Sequence, residues 1–213
     1  MKLYTYFRSS AAYRVRIALA LKGLSYESVP TSLPGNEQHR PAYRSLNPQG
    51  LIPALAIDST VFPQSLAIIE YLDERHPEIV PFLPPDPISR AHVRSMALSI
   101  ACDLHPLNNL RVLNYLRQNL GQDEEAIHAW YLHWIETGFT GLESQVRRFS
   151  TARRHCFGDA LSMADICLVP QMYNASRFGA DLSPFPTLRS INTHLELQPG
   201  FAAARPEAQP DAV

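Results

Sequence analysis

Hydrophobic and polar positions divide the chain into a first part that mixes short strand-like runs with helices and a later part with long helical periods. Leu3-Tyr4-Thr5-Tyr6-Phe7 reads as a strand, because aromatic and β-branched side chains suit a pleated surface. Residues 13–22 follow as a helix in which Val15, Ile17, Ala18, Leu19 and Leu21 leave no polar stripe. It is expected to be covered on most sides and to stop at Gly23. Residues 26–29 add a second strand and complete a βαβ unit. A weakly marked helix over residues 39–46 leads to Asn47-Pro48-Gln49-Gly50. The apolar strand of residues 51–57, with Pro53 near its entrance, then turns at Asp58-Ser59 into Thr60-Val61-Phe62 as a hairpin. Gln64-Ser65 precedes Leu66-Ala67-Ile68-Ile69-Glu70-Tyr71-Leu72, whose helical period makes Ser65 the expected N-cap.

Residues 76–88 hold Pro77, Pro81, Pro84, Pro85 and Pro87, the composition of a stiff linker, and the domain boundary is placed there. Residues 1–80 then form one domain and residues 88–213 a second, all-helical one. In the second, residues 89–120 read as one long helix bent at Pro106, and residues 123–149 as another, with Trp130, Trp134, Phe139 and Leu142 as packing residues. Ser162-Met163-Ala164-Asp165 has the spacing of a capping box and starts a third helix, which contains Pro170 and runs to Arg177. A fourth covers residues 188–197, and residues 199–213 are expected to lie on the surface without regular structure.

Charge and composition narrow the function classes. With 19 basic and 20 acidic residues the formal net charge is −1, so no broad basic field points to nucleic acid. No apolar run approaches the roughly 20 residues needed to span a bilayer, and a cytoplasmic location is expected. Three widely spaced cysteines, Cys102, Cys156 and Cys167, suit buried, reduced thiols rather than a disulfide framework or a zinc site. No metal site is expected from the eight histidines, which form no His-Glu-x-x-His pattern, and the glycine-rich nucleotide loops are missing.

The candidate chemistry lies at helix mouths. Arg8-Ser9-Ser10 sits where the strand of residues 3–7 gives way to the apolar helix, so two hydroxyls and a cation stand beside N–H groups that lack internal acceptors. An anion such as a thiolate is stabilised there; equally, Ser9 or Ser10 simply caps the helix. Ser65 offers the same two readings. Pro53 is either an edge-strand proline or a cis proline that leaves neighbouring backbone groups free for a ligand.

These parts together resemble the cytosolic glutathione transferases, in particular the zeta class of maleylacetoacetate and bacterial maleylpyruvate isomerases. The resemblance rests on Arg8-Ser9-Ser10-x-x-Tyr13-Arg14-Val15-Arg16-Ile17-Ala18-Leu19, Leu46-Asn47-Pro48-Gln49, Ile52-Pro53-Ala54-Leu55 and the residues 64–72. Residues 163–171, Leu182-Ser183-Pro184-Phe185-Pro186 and Gln209-Pro210-Asp211 fit as well, so it runs end to end. It implies an α/β thioredoxin-like N-terminal domain that binds glutathione, an all-α C-terminal domain that contributes the substrate site, and a homodimer.

Roles carry over residue by residue. The resemblance implies that Ser9, with Ser10 behind it, meets the glutathione sulfur. It implies that Ile52 beside a cis Pro53 offers its backbone to the cysteinyl part, that Gln64 and Ser65 hold the γ-glutamyl end, and that Gln49 belongs to the same cofactor site. His105 and Asn109 match a pair near glutathione in the maleylpyruvate branch; four apart, they are expected on one helix face. Arg8, Arg177 and Arg111 are the cations chosen for a dianionic maleyl keto acid, since guanidinium meets carboxylate in bidentate fashion. Arg14 and Arg16 are read as structural. The departure from the class lies at Ala11 and Ala12, where most members carry Cys and a small polar residue, so no protein thiol can act at this place. The implied activity is glutathione-dependent cis–trans isomerisation of a maleyl keto acid; the alternatives are a zeta-type transferase or dehalogenase of small α-halo acids, and a non-catalytic binding protein on the same fold.

Overall fold

A computed structural model describes residues 1–212, and Val213 lies outside the described residues. The chain forms two compact units, one of residues 1–82 with 196–213 and one of residues 83–195. The first junction lies inside the proline-rich linker; the return of the chain to the first unit at residue 196 has no counterpart in the division drawn from the sequence.

The first unit is a four-stranded mixed sheet of order β2-β1-β3-β4, comprising β1 (Lys2–Thr5), β2 (Glu27–Pro30), β3 (Ala54–Ile57) and β4 (Thr60–Pro63). Parallel β1–β2 and antiparallel β1–β3 and β3–β4 make it thioredoxin-like. Helix α1 (Ser10–Leu21) has every residue from Ser10 to Leu19 buried, as its lack of a polar stripe requires. The short α2 (Pro41–Arg44) precedes the 47–50 turn, and α3 (Ser65–Arg75) packs on α1.

Residues expected to be irregular at the far end are ordered. Helix α9 (Pro199–Ala204) packs against α1, and a single 3₁₀ turn, Pro206–Ala208, follows. Gly200 permits the approach: a Cβ there would stand 2.9 Å from Leu21 Cδ2. Arg16, 1% exposed, secures the packing through Nε, which donates to the Ala204 carbonyl at 3.1 Å. That partner lies 188 residues away, which is why local composition did not reveal it.

The second unit is helical: α4 (Pro87–Leu98), α5 (Leu110–Gln118), α6 (Glu124–Phe149), α7 (Met163–Arg177) and α8 (Pro186–Glu196). The single helix expected over residues 89–120 is not formed. After α4 the chain passes through a π-helical stretch, Ser99–Leu104, then turns, and restarts at Asn109, whose side chain caps α5. Pro106 lacks an N–H and Asn109 offers its own acceptor to Arg111 N–H at 3.1 Å, so a break is favoured over a bend. The capping box is present: Ser162 N–H and Oγ–H both donate to Asp165 Oδ2 at 2.8 Å. All three cysteines are free, but Cys102 is exposed, contrary to expectation, because it lies on the outer side of the π-helical stretch. Among the described residues no helix is long and apolar enough to cross a membrane.

Candidate active site

The first unit gathers Arg8, Ser9 and Ser10 at the mouth of α1. Ser9 is the N-cap: its backbone is extended (φ −71°, ψ 114°) and its Oγ accepts the Ala12 N–H at 3.2 Å. Its carbonyl accepts Tyr13 N–H at 2.8 Å. The capping and anion-binding readings are therefore compatible. The cap occupies a lone pair of the hydroxyl and leaves its proton to donate, and an accepted hydrogen bond polarises that O–H into a better donor. Ser10, buried, opens the helix, and the N–H groups of Ser10 and Ala11 have no intrahelical acceptor. Arg8 is exposed, with its guanidinium carbon 4.8 Å from the centre of the Phe7 ring and no carboxylate within ion-pair distance among the described residues.

The loop before Ser9 is clamped by groups that sequence reasoning left out of the site. Arg16 Nη2 donates to the Phe7 carbonyl at 2.9 Å, and its Nη1 to Tyr6 O at 3.4 Å and Thr5 Oγ1 at 3.1 Å. Phe7 N–H donates to Asp211 Oδ2 at 2.9 Å.

A second group lies around β3 and the mouth of α3. The Ile52–Pro53 bond is cis. Ladder pairing of β3 begins at Ala54, so the Ile52 N–H and C=O stand outside the sheet. Tyr43 Oη–H donates to the Leu51 carbonyl at 2.6 Å and Asn47 Nδ2 to the same oxygen at 2.8 Å, fixing the approach to Ile52. Burial pushes the Tyr43 phenol up from 10.0 to about 12. Asn47 is 2% exposed, and the sequence signal for this anchoring role is its position before Pro48 in a tight turn.

At α3 the N-cap is Gln64, not Ser65. Gln64 lies in the left-handed half of backbone space at φ 72°, a costly place for a residue with a Cβ, and its Nε2 donates to Gln49 Oε1 at 3.0 Å. Ser65 is thereby the first helical residue, 6% exposed, and its Oγ accepts from Arg14 Nη1 at 3.4 Å. Gln49, Gln64 and Ser65 thus form one group, with both Gln side chains exposed.

His105, Asn109, Arg111 and Arg177 belong to the second unit. His105 ends the π-helical stretch and Asn109 starts α5, so the two do not share a helix face; the break between them corrects that expectation. Arg111 is exposed in the first turn of α5, and Arg177 is the exposed last residue of α7. The loop and the end of α7 are nonetheless joined through α6. Asn108 Nδ2 donates to the Tyr131 carbonyl at 3.0 Å, and the Tyr131 ring stacks on Phe178 at 3.7 Å. The Arg177 guanidinium carbon lies 4.5 Å from the centre of the Phe178 ring. Trp130 Nε1–H adds a bond to the Leu107 carbonyl at 3.0 Å, so this tryptophan, read as packing, also anchors the loop.

Comparison with known proteins supports one family. Residues 3–81 match the family model of the glutathione S-transferase N-terminal domain. A probable maleylacetoacetate isomerase of Vibrio cholerae is 53% identical, over 99% of this chain and 97% of its own. A holo structure of maleyl pyruvate isomerase, described as a bacterial glutathione S-transferase of the zeta class, superposes with a TM-score of 0.97 at 43% identity, covering all of both chains. A maleylacetoacetate isomerase of Anaeromyxobacter dehalogenans with bound dicarboxyethyl glutathione and citrate in its active site gives a TM-score of 0.88 at 42% identity, over 100% of this chain and 97% of that one. The chain belongs to the glutathione transferase family, in the branch that holds the maleylacetoacetate and maleylpyruvate isomerases.

Proposed function

We propose that the protein is a glutathione-dependent cis–trans isomerase that converts a maleyl keto acid, maleylacetoacetate or maleylpyruvate, to its fumaryl isomer. The observation that carries this reading is the mouth of α1, where Ser9 caps the helix with its hydroxyl proton still available and the exposed Arg8 stands beside it. The residues suit glutathione as cofactor. The Ile52 backbone outside the ladder suits an extended peptide, and Gln49, Gln64 and Ser65 suit its α-amino acid end.

Rotation about a conjugated C=C bond is too slow unaided, and glutathione supplies a thiolate whose reversible addition makes that bond single long enough to rotate. The protein has two tasks. Ser9 O–H and the N–H groups of Ser10 and Ala11 hold the negative charge on sulfur and so lower the thiol pKa. Arg8 meets the carboxylates of the substrate and the enolate oxygen charge that develops in the transition state; Arg177 and Arg111 are the cations proposed for the second unit. His105 and Asn109 are assigned to glutathione. Ala11 and Ala12 leave the work to hydroxyl, helix dipole and arginine.

The protein similar at 0.88 binds a dicarboxylate joined to glutathione, which is the kind of species a thiolate and a maleyl double bond would form. This favours the isomerase over dehalogenation of α-halo acids, which remains the second reading because one thiolate site serves both. A cytosolic homodimer completes the proposal; three free thiols suit a reducing compartment. The test is conversion of maleylpyruvate and maleylacetoacetate with and without glutathione. Catalytic turnover that requires glutathione without consuming it supports the reading, and no turnover of either acid by the folded protein overturns it.

A further inference from the structure

Asp211, in the closing Gln209-Pro210-Asp211, reaches the loop that leads into the proposed thiolate site. Asp211 Oδ2 accepts the N–H of Phe7 at 2.9 Å across 204 residues. Phe7 lies past the end of β1, so this N–H has no ladder partner, while its carbonyl is held from the other side by Arg16 Nη2 at 2.9 Å. Both polar groups of Phe7 are therefore fixed by side chains of opposite charge. The anchor is itself anchored. Gln209 Nε2 donates to the carbonyls of Ala203 at 3.1 Å and Arg205 at 2.8 Å, and Arg16 Nε grips Ala204 O, tying residues 203–211 to the same guanidinium that holds the loop.

What Phe7 controls is the placing of its neighbours. Phe7 is 4% exposed, and its ring carries the Arg8 guanidinium over its face. Ser9 N–H closes the turn onto Tyr6 O at 2.9 Å, so a rotation at residue 7 moves the Ser9 hydroxyl and Arg8 together. We infer that Asp211 is a positioning residue for the reaction: its carboxylate holds the Phe7 peptide and thereby aims Ser9 at the sulfur and Arg8 at the substrate. The inference rests on the proposed thiolate site. Misplacing a reacting group by even about 1 Å is enough to lower a rate by up to about a hundredfold.

The experiment compares wild type, Asp211→Ala and Asp211→Asn. All are measured at a temperature where circular dichroism shows each folded. In Asp211→Ala, kcat falls about tenfold or more with little change in KM for glutathione. The pKa of bound glutathione, followed by thiolate ultraviolet absorbance, rises, and amide exchange of residues 7–9 quickens. Asp211→Asn, whose side-chain carbonyl still accepts the Phe7 N–H, restores most of each. A merely structural role would lower the melting temperature and leave the bound-thiol pKa and kcat of the folded enzyme unchanged, which would overturn the inference. So would a rate loss that Asn fails to rescue. A wild type that binds no glutathione thiolate overturns the proposed function and this inference with it; wild-type thiolate together with an unaltered Asp211→Ala overturns this inference alone.

Discussion

The Ser9 hydroxyl oxygen lies 3.2 Å from the Ala12 amide nitrogen and accepts its hydrogen, so one side chain caps the buried helix and keeps its own proton to donate. Substitution separates the two duties. Alanine at a cap typically costs about 1 kcal/mol, whereas glycine costs only a few tenths. Ser9→Ala is expected to lower unfolding free energy measurably and Ser9→Gly hardly at all, while both lose on the order of a hundredfold in isomerase kcat, as expected for removal of a donor at developing charge. Denaturant unfolding and steady-state kinetics on the pair decide it. An active Ser9→Gly enzyme would leave the hydroxyl with the cap alone.

Arg8 is exposed, stacked on Phe7 and, among the described residues, without an ion-pair partner, so its substitution should disturb little besides the substrate. Arg8→Ala is expected to lower kcat/KM for the maleyl acid by about a hundredfold or more, with the glutathione Kd from calorimetry unchanged. Arg8→Lys keeps the charge and loses the planar fork, and recovers only part of the rate. Equal loss of glutathione binding would move Arg8 from the substrate to the cofactor.

The contrast between Ser9 and Asp211 shows what could be read from sequence. Ser9 stands at a local boundary between a strand-like run and an apolar helix, and local patterning fixes both. The βαβ unit, the hairpin and the 162–165 capping box were legible for the same reason. Asp211 acts through a partner 204 residues away and Arg16 through one 188 residues away, and no local pattern encodes such a contact. Two boundaries were missed for local but finer causes. A lone Pro106 is compatible with a bend or a break, and only the Asn109 cap decides for a break. Ser65 has the right chemistry for an N-cap, yet the positive φ of Gln64 shifts the helix start by one residue.

That positive φ carries its own prediction. Gln64 at φ 72° holds a conformation that costs a residue with a Cβ of order 1 kcal/mol or more and costs glycine less. Gln64→Gly is therefore expected to relieve native-state strain, offset in part by the greater freedom of the unfolded chain. It also removes the amide that bonds Gln49 Oε1 and is assigned to the γ-glutamyl end. The expected result is an unchanged or higher melting temperature together with a weaker glutathione Kd. A variant that binds glutathione as tightly as wild type would show that the left-handed backbone, rather than the side chain, is what the site uses.

Tyr43 gives an alkaline signature. Burial raises its phenol from 10.0 to about 12, because the phenolate would be poorly solvated there. A group raised in the folded state contributes stability that is complete below its unfolded value and is lost as pH rises through the folded one. Between about pH 10 and 12 the unfolded chain ionises while the folded one does not, so roughly 2 to 3 kcal/mol should be lost across that window. Tyr43→Phe is expected to be less stable at pH 8, having lost the bond to Leu51, and to show a shallower decline above pH 10. Urea unfolding at pH 8, 10 and 11.5 measures both; parallel decline in the two proteins would assign the alkaline loss to other groups.

Lys22 offers the largest expected effect on stability. Its side chain is wholly inaccessible, and Nζ donates to Asp73 Oδ1 and His76 O, each at 2.9 Å, and to Ile79 O at 3.3 Å, with the Phe82 ring 4.5 Å away. One ammonium thus ties the end of α1 to the end of α3 and to the chain leaving it. Lys22→Met keeps the volume and strands the Asp73 carboxylate and two carbonyls without their donor. Breaking a buried pair from one side typically costs about 3 to 5 kcal/mol. Lys22→Met with Asp73→Leu removes the stranded charge and should be more stable than Lys22→Met alone, although Asp73 Oδ1 also accepts Phe82 N–H at 2.9 Å, so recovery stays incomplete. A double-mutant cycle by denaturant unfolding reads the coupling directly, and additive losses would mean that the carbonyls, rather than the carboxylate, are what Lys22 serves.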